Sequence, residues 1–267
     1  MLREAGLAPK KSFGQNFLVT QDVADRIAAA AAPDGERDVT VIEIGAGTGA
    51  LTAALASRGA RVVAIERDRD LVPILERAFA DAPNVRVLEA DAKTVDFPSL
   101  GGERFVLAGN LPYQITGVLL EGAARLGARV RRAVFMVQRE VADRLLAAPG
   151  SKSYGALTVF TRAAFDVARL MNVASGAFYP PPDVTSAVVV LVPRADRIEE
   201  TDAFRALVSK AFEQRRKTLR NAWRTLAPRE ALSAAAETAR ISLDARGETL
   251  SVEAFAAMER ALHPPDA

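Results

Sequence analysis

"VTVIEIGAGTGALTAALASRG" (residues 39–59) holds three kinds of sequence in a row. The β-branched, apolar run 39–44 reads as a buried strand, "GAGTG" breaks it, and "ALTAALASRG" reads as a helix closed by Gly59. A strand that passes through a glycine loop into a helix builds the ligand crevice of an open α/β sheet, at the carboxyl ends of its strands. The spacing Gly45-x-Gly47-x-x-Ala50 fits the dinucleotide fingerprint, which accepts alanine last. Glu66 ends the next strand, "RVVAIE" (61–66), about 20 residues on, where an acid binds ribose hydroxyls. The loop alone therefore suits NAD or another adenosine ligand.

Outward from this unit the rhythm persists. "TQDVADRIAAAAA" before it is an alanine-rich helix with Thr20 as cap, and "LVPILERAFADA" after it is a helix with Pro73 near its start. "VRVLEAD" (85–91), "RFVLAGN" (104–110) and "RAVFMVQ" are further strands, and "REVADRLLAA" is a helix. Such alternation with short connections predicts an α/β fold with a mostly parallel, Rossmann-like sheet. From Ser153, "YGALTVFTRAAFDVARLMNV" and "VTSAVVVLV" read as longer strands that give the sheet an antiparallel edge. From about Ile198 the pattern is helical, with "DAFRALVSKAFEQRRKTLRNAWRTL" as one long helix. We expect a catalytic domain over 1–196, with a basic N-terminal lead-in, and a small all-helical domain over 197–267.

Two more acids narrow the ligand. Glu43 sits two residues before Gly45, facing a ligand's cationic end or the loop's own amides, and Asp91 ends the third strand, where it accepts from an adenine amino group. An acid at each of three strand ends suits a cationic adenosine ligand without phosphates and repels a pyrophosphate. S-adenosylmethionine is the natural candidate. "GNLPYQIT" (109–116) then acquires a chemical meaning. An aromatic amine is a poor nucleophile, because its lone pair is delocalised into the ring. Two acceptors aimed at its N–H bonds, the Asn110 side-chain oxygen and the Leu111 carbonyl directed by Pro112, free that lone pair. Tyr113 offers a flat face for the base, worth about 1–3 kcal/mol. No general base is required, and orientation with electrostatics supplies the rate.

Composition excludes other chemistries. The 267 residues contain no cysteine and one histidine, His263, which lies in the tail, so disulfides, thiolate sites, catalytic triads and histidine metal sites are set aside and no metal is expected. No apolar stretch approaches the roughly 20 residues that span a bilayer, and the start lacks a secretory pattern, so a cytoplasmic protein with no membrane partner is expected. A net charge of +2 leaves nucleic-acid binding to local patches. The densest is "KAFEQRRKTLRNAW", where Lys210, Arg215, Arg216, Lys217 and Arg220 meet one acid, Glu213, with Arg216 and Arg220 one helical turn apart. Lys10 and Lys11 form a smaller patch, and Arg125, Arg129, Arg131 and Arg132 a third.

Taken together, "KKSFGQNFL", "EIGAGTGALT", "AIERD", "GNLPY", "MVQREVADRL", "FYPPPDVTSAVV" and "AFEQRRKTLRN" resemble the ribosomal RNA adenine N6,N6-dimethyltransferase family, and within it the branch acting on small-subunit (16S) RNA. The resemblance runs from about Lys10 to the last helix. It implies a class I S-adenosylmethionine-dependent methyltransferase, in which Asn16 and Leu18 close over the donor and Gly45, Glu66, Asp91 and Asn110 complete its pocket. It also implies that Phe178 faces Tyr113 across the target adenine; by itself Phe178 reads as a core residue. The implied products are two adjacent dimethylated adenines in the 3′-terminal hairpin of small-subunit RNA, made late in assembly of the 30S particle. The chain is expected to work as a monomer.

Overall fold

The computed structural model describes residues 8–10, 14–36, 38–214 and 216–264. The chain divides into two compact units, one comprising the residues up to Ala142 and Val167–Pro193, the other Asp143–Asp166 and the residues from Arg194 onward.

In chain order the elements are β1 (Phe17–Leu18), α1 (Gln21–Ala31), β2 (Thr40–Ile44), α2 (Ala50–Ser57), β3 (Arg61–Glu66), α3 (Val72–Ala78), β4 (Val85–Glu89), α4 (Phe97–Gly101), β5 (Phe105–Asn110), α5 (Thr116–Leu126) and β6 (Val130–Gln138). They continue with α6 (Arg139–Leu145), α7 (Ala156–Ala164), β7 (Phe165–Val173), β8 (Phe178–Tyr179), β9 (Ser186–Pro193), α8 (Asp202–Glu213), α9 (Leu219–Ala222), α10 (Arg229–Thr238) and α11 (Val252–Leu262). No helix among the described residues is long and apolar enough to cross a membrane.

The first unit is built on a seven-stranded sheet of order β4-β3-β2-β5-β6-β9-β7. The pairs β2–β3, β2–β5, β3–β4 and β5–β6 are parallel, and β6–β9 is antiparallel. The α/β fold expected from the sequence is therefore present, with its antiparallel portion at one end. The chain leaves β2 toward β3 and β4 on one side and returns to β5 and β6 on the other. The carboxyl ends of β2 and β5, Ile44 and Asn110, consequently flank a topological switch point, where such sheets bind ligands. The β-branched run predicts β2 well because both its faces are covered: Val41, Ile42, Glu43 and Ile44 are all buried. β1 and β8 form a separate two-stranded antiparallel ladder.

The second unit differs from its sequence reading in three ways. Residues 143–166, expected in the first domain, belong to the helical unit. The Tyr154 hydroxyl donates to the Leu250 carbonyl at 2.9 Å, and Tyr154, Val159 and Phe160 share one core with Phe204, Trp223 and Phe255. "ALTVFTRAA", expected as strand, is helix α7. Its buried Val159, Phe160, Ala163 and Ala164 follow a helical spacing, which outweighs the strand preference of its β-branched residues. Finally, the single long helix expected through the basic stretch stops at Glu213 and resumes as α9 at Leu219. The Leu219 and Arg220 N–H groups donate to the Ala245 and Leu243 carbonyls, each at 2.8 Å, so they are not available to the carbonyls one turn earlier. The helical stacking of Arg216 on Arg220 is thereby lost.

Gly109 shows how tightly β5 meets β2: a Cβ placed on it would land on the Ile44 carbonyl oxygen, well inside van der Waals contact. That atom is sheet backbone and has little freedom to shift. Gly109→Ala is expected to cost about 1–3 kcal/mol, read in a thermal melt as a Tm lower by roughly 3–10 °C.

Candidate active site

A concave pocket of the first unit lies at the switch point and encloses about 1210 Å³ of empty space including its open mouth. Segments 14–18, 43–48, 65–68, 90–92 and 110–115 all contribute to its lining. Asn16, Leu18, Glu43, Gly45, Gly47, Glu66, Asp91, Asn110, Leu111, Pro112 and Tyr113 are thus brought together, although their positions span nearly a hundred residues of sequence.

The glycine loop is turned back onto β3, because the Gly45 and Ala46 N–H groups both donate to the Ile65 carbonyl, at 2.9 and 3.0 Å. Gly45 and Gly47 have φ of +75° and +59°, a region that side-chain-bearing residues rarely adopt. A Cβ on Gly47 would also sit 3.0 Å from the Phe17 ring. The acid that serves the loop is Glu66 and not Glu43. The Glu66 Oε2 accepts the Gly47 N–H at 2.8 Å, and its Oε1 accepts the Arg67 and Asp68 N–H groups, both at 2.8 Å. Burial pushes the Glu66 carboxyl above its ordinary range, against the pull of these three bonds. The Gly47 amide that a phosphate would use is already taken by a carboxylate, so the donor set fits a cationic nucleoside better than a pyrophosphate.

Glu43 is 1% exposed, and its only hydrogen bond among the described residues is from the Thr52 hydroxyl, at 2.6 Å to Oε2. Desolvation pushes its pKa up to about 8, with Thr52 opposing and the Glu66 charge adding to the rise. Thr52 lies on α2, and nothing in its sequence position marks it as the partner. Asp91 accepts the Lys93 N–H at 3.0 Å and pairs with Arg67 at 3.4 Å, so two cations flank it.

The "NLPY" turn is fixed at both ends. The Asn110 Nδ2 donates to the Asn16 carbonyl at 2.9 Å, which leaves Oδ1 as the free acceptor of that amide. The Leu111 N–H donates to the Met136 carbonyl at 3.0 Å, continuing the β5–β6 pairing, and the Pro112 carbonyl accepts from Thr116 Oγ1 and Ile115 N, both at 3.1 Å. The Leu111 carbonyl thus lies between two anchored peptides. Tyr113 Oη lies 3.3 Å from Ser186 Oγ. Phe178 is not brought into the cavity lining: it is 3% exposed, pairs with Leu18 across the β1–β8 ladder and packs in the apolar core.

The cationic candidates are less free than their charges imply. Lys10 Nζ contacts Asp68 at 2.5 Å and Asp70 at 2.6 Å, while Gln15 Nε2 donates to the other Asp68 oxygen at 2.7 Å. Burial pushes Asp68 up, but Lys10 and Gln15 outweigh it and hold the carboxyl below its usual range. Lys10 is therefore a tie between the N-terminal segment and the loop after β3. Lys210 pairs with Glu213 at 2.8 Å, Arg220 with Asp244 at 3.2 Å, and Arg131 and Arg132 with Glu36 at 3.3 and 2.7 Å. Arg216 and Lys217 are exposed in the turn between α8 and α9. Lys11 and Arg215 lie outside the described residues.

The family model for ribosomal RNA adenine dimethylase matches residues 6–263. Ribosomal RNA small subunit methyltransferase A of Anaeromyxobacter sp. (strain K) is 44% identical over 277 residues, covering 98% of this chain and 96% of that one. The protein of the same name from Myxococcus xanthus (strain DK1622) is 44% identical over 272 residues, covering 99% and 94%. Among solved structures, a dimethyladenosine transferase from Plasmodium falciparum matches with a TM-score of 0.77 at 27% identity, over 91% of this chain and 95% of that one. The 23S rRNA methyltransferase ErmE matches with a TM-score of 0.70 at 28% identity, over 92% and 99%.

Glu43 gives a test of the site's electrostatics. An acid whose pKa is raised on folding, here from 4.5 to about 8, holds its proton more tightly in the folded state, so its contribution to stability falls as pH rises across that window. Glu43→Gln removes this dependence. The Tm of the variant relative to the unsubstituted protein is expected to climb from pH 5 to pH 8 and to level off above, in melts across that range; a pH-independent difference would show Glu43 ionised in the fold.

Proposed function

As the chain belongs to the ribosomal RNA adenine dimethylase family, and so is an S-adenosylmethionine-dependent rRNA adenine dimethyltransferase with a class I methyltransferase fold, we propose that it dimethylates the N6 amino groups of two adjacent adenines in the 3′-terminal hairpin of small-subunit (16S) RNA. It acts in the cytoplasm as a monomer, on the 30S particle late in assembly. The choice of small-subunit RNA is supported by the relatives that carry that name at 44% identity, against 28% for ErmE.

The observation that carries the reading is the anchored Asn110 amide. With Nδ2 held by the Asn16 carbonyl, Oδ1 is presented as an acceptor in a cavity that Leu111, Pro112 and Tyr113 also line. Asn110 Oδ1 and the Leu111 carbonyl take the two N–H bonds of the adenine amine, which localises its lone pair. After the first methylation one N–H remains, and one acceptor suffices to hold it for the second. Tyr113, steadied by Ser186, carries the base, while Phe178 stays in the apolar core behind Leu18. S-adenosylmethionine, when bound, supplies a methyl group activated by its sulfonium. On this reading Glu66 takes the ribose hydroxyls, Asp91 the adenine amino group of the donor, and Gly45 and Gly47 allow the loop to lie close against it, with Asn16 and Leu18 over the top. Glu43 lends negative character beneath a cationic ligand, whose arrival draws off its proton. The methylated nitrogen sheds its proton to water or to its acceptors, so no histidine is needed in the core. The first unit carries the donor and catalytic residues, and the second meets the RNA through Lys210, Arg215, Arg216, Lys217 and Arg220, with Lys11 contributing from the lead-in.

Asn110→Ala is expected to lower kcat by about a hundredfold or more while RNA affinity stays within about twofold, measured with labelled S-adenosylmethionine and undermethylated small subunits followed by nucleoside analysis for N6,N6-dimethyladenosine. Equal activity would remove the amide from the mechanism, and a non-catalytic RNA binder would be indifferent. Arg216→Ala, at an exposed position with no carboxylate partner among the described residues, is expected to weaken RNA binding uniformly across sequences. It should also reduce the slope of log K against log salt by about one, in filter binding over a salt series.

A further inference from the structure

In the β1–β8 ladder Phe17 stands opposite Tyr179 and Leu18 opposite Phe178. The Val19 N–H extends the ladder by donating to the Ala177 carbonyl at 2.9 Å. Directly opposed residues of an antiparallel pair share a face, and alternate residues of one strand do the same. Leu18 and Phe178 therefore share the inner face, and both lie in the apolar core. Phe17, Val19 and Tyr179 share the other. Both strand residues reach the donor cavity, Leu18 from the inner face and Phe17 from the second, where its ring lies against Gly47. Beyond Phe17 the face runs out into solvent, where Tyr179 is 48% and Val19 59% exposed. The segment after Tyr179 leads to Ser186, the partner of the Tyr113 hydroxyl, so the two phenols are joined through one short stretch of chain.

The geometry points to Tyr179 as a positioning residue for RNA: its ring stacks on the base next to the reacting adenine, with Val19 closing the edge of the contact. This inference rests on the reading of the protein as an RNA adenine methyltransferase. A base that enters the cavity must leave its stack, and its neighbour then loses a stacking partner. An exposed aromatic ring at the rim supplies a replacement face that accepts any base. The patch matches a base better than a protein, since two side chains offer far less than the roughly 800 Å² that each partner buries in a stable protein interface. Phe178, on the inner face, is turned away from this position. Where the two target adenines are adjacent, each in turn is the neighbour of the other, and Tyr179 holds one while its companion reacts.

The test compares Tyr179→Ala, Tyr179→Leu and Tyr179→Phe in the full chain, with undermethylated small subunits as substrate. The Ala and Leu variants are expected to raise KM and the filter-binding Kd for the subunit about tenfold, with kcat within twofold and S-adenosylmethionine affinity unchanged by calorimetry. The Phe variant is expected to match the unsubstituted protein. Unchanged KM and Kd in the Ala variant would overturn the inference. Full rescue by Leu would also overturn it, because Leu keeps the apolar contact a protein partner needs but not the flat face a base needs. Failure of the underlying reading would show differently, as absence of N6,N6-dimethyladenosine with the unsubstituted protein; the filter-binding comparison still decides the role of Tyr179 in that case.

Discussion

The Asn110 side chain donates to the Asn16 backbone carbonyl across 94 residues of sequence, and the working geometry of the cavity depends on that bond. It fixes one end of a side-chain amide, so the opposite end must present an oxygen. It also ties the segment that enters β1 to the end of β5, the strand beside the switch point. A hydrogen bond of this kind contributes only about 1 kcal/mol net. On the proposed mechanism its larger effect is on orientation, because an acceptor that need not reorganise during reaction is where electrostatic catalysis gains most.

Around this bond the site places negative charge where a cation has to lie. Glu66 is held by three backbone N–H groups and Glu43 by one hydroxyl, and burial raises both carboxyls. Two buried acids close together disfavour the ionised forms and await a positive partner. A ligand bearing a sulfonium and no phosphate relieves that tension, whereas a pyrophosphate would add to it. The N-terminal segment reaches the same region by a different route, through Lys10 and Gln15 on Asp68. Lys10 therefore organises the donor side of the cavity and is not simply displayed to solvent.

Much of the fold was legible because β2, the glycine loop and α2 declare themselves within a few residues: a β-branched run, glycines at positive φ and an alanine-rich helix. The acids at strand ends and the "NLPY" turn were legible for the same reason, since strand termini are local features and the crevice gathers them. The helix α7 carries a strand-like composition, because β-branched residues state only a preference and burial against Phe204 and Trp223 overrides it. The helix break before Thr218 was invisible, because it depends on carbonyls of Leu243 and Ala245.

From the sequence alone follow the alternation of strand and helix, the loop that admits an adenosine ligand, and the residue types suited to methylating an amine, since backbone freedom and periodicity are properties of a short window. Which carboxylate serves the loop, which lysine is already paired, and which of two adjacent aromatics, Phe178 or Tyr179, faces solvent were decided only in the tertiary structure. Each of those outcomes depends on a partner brought from a distant segment, and a pairing that spans 58 residues, such as Lys10 with Asp68, leaves no trace in the neighbourhood of either.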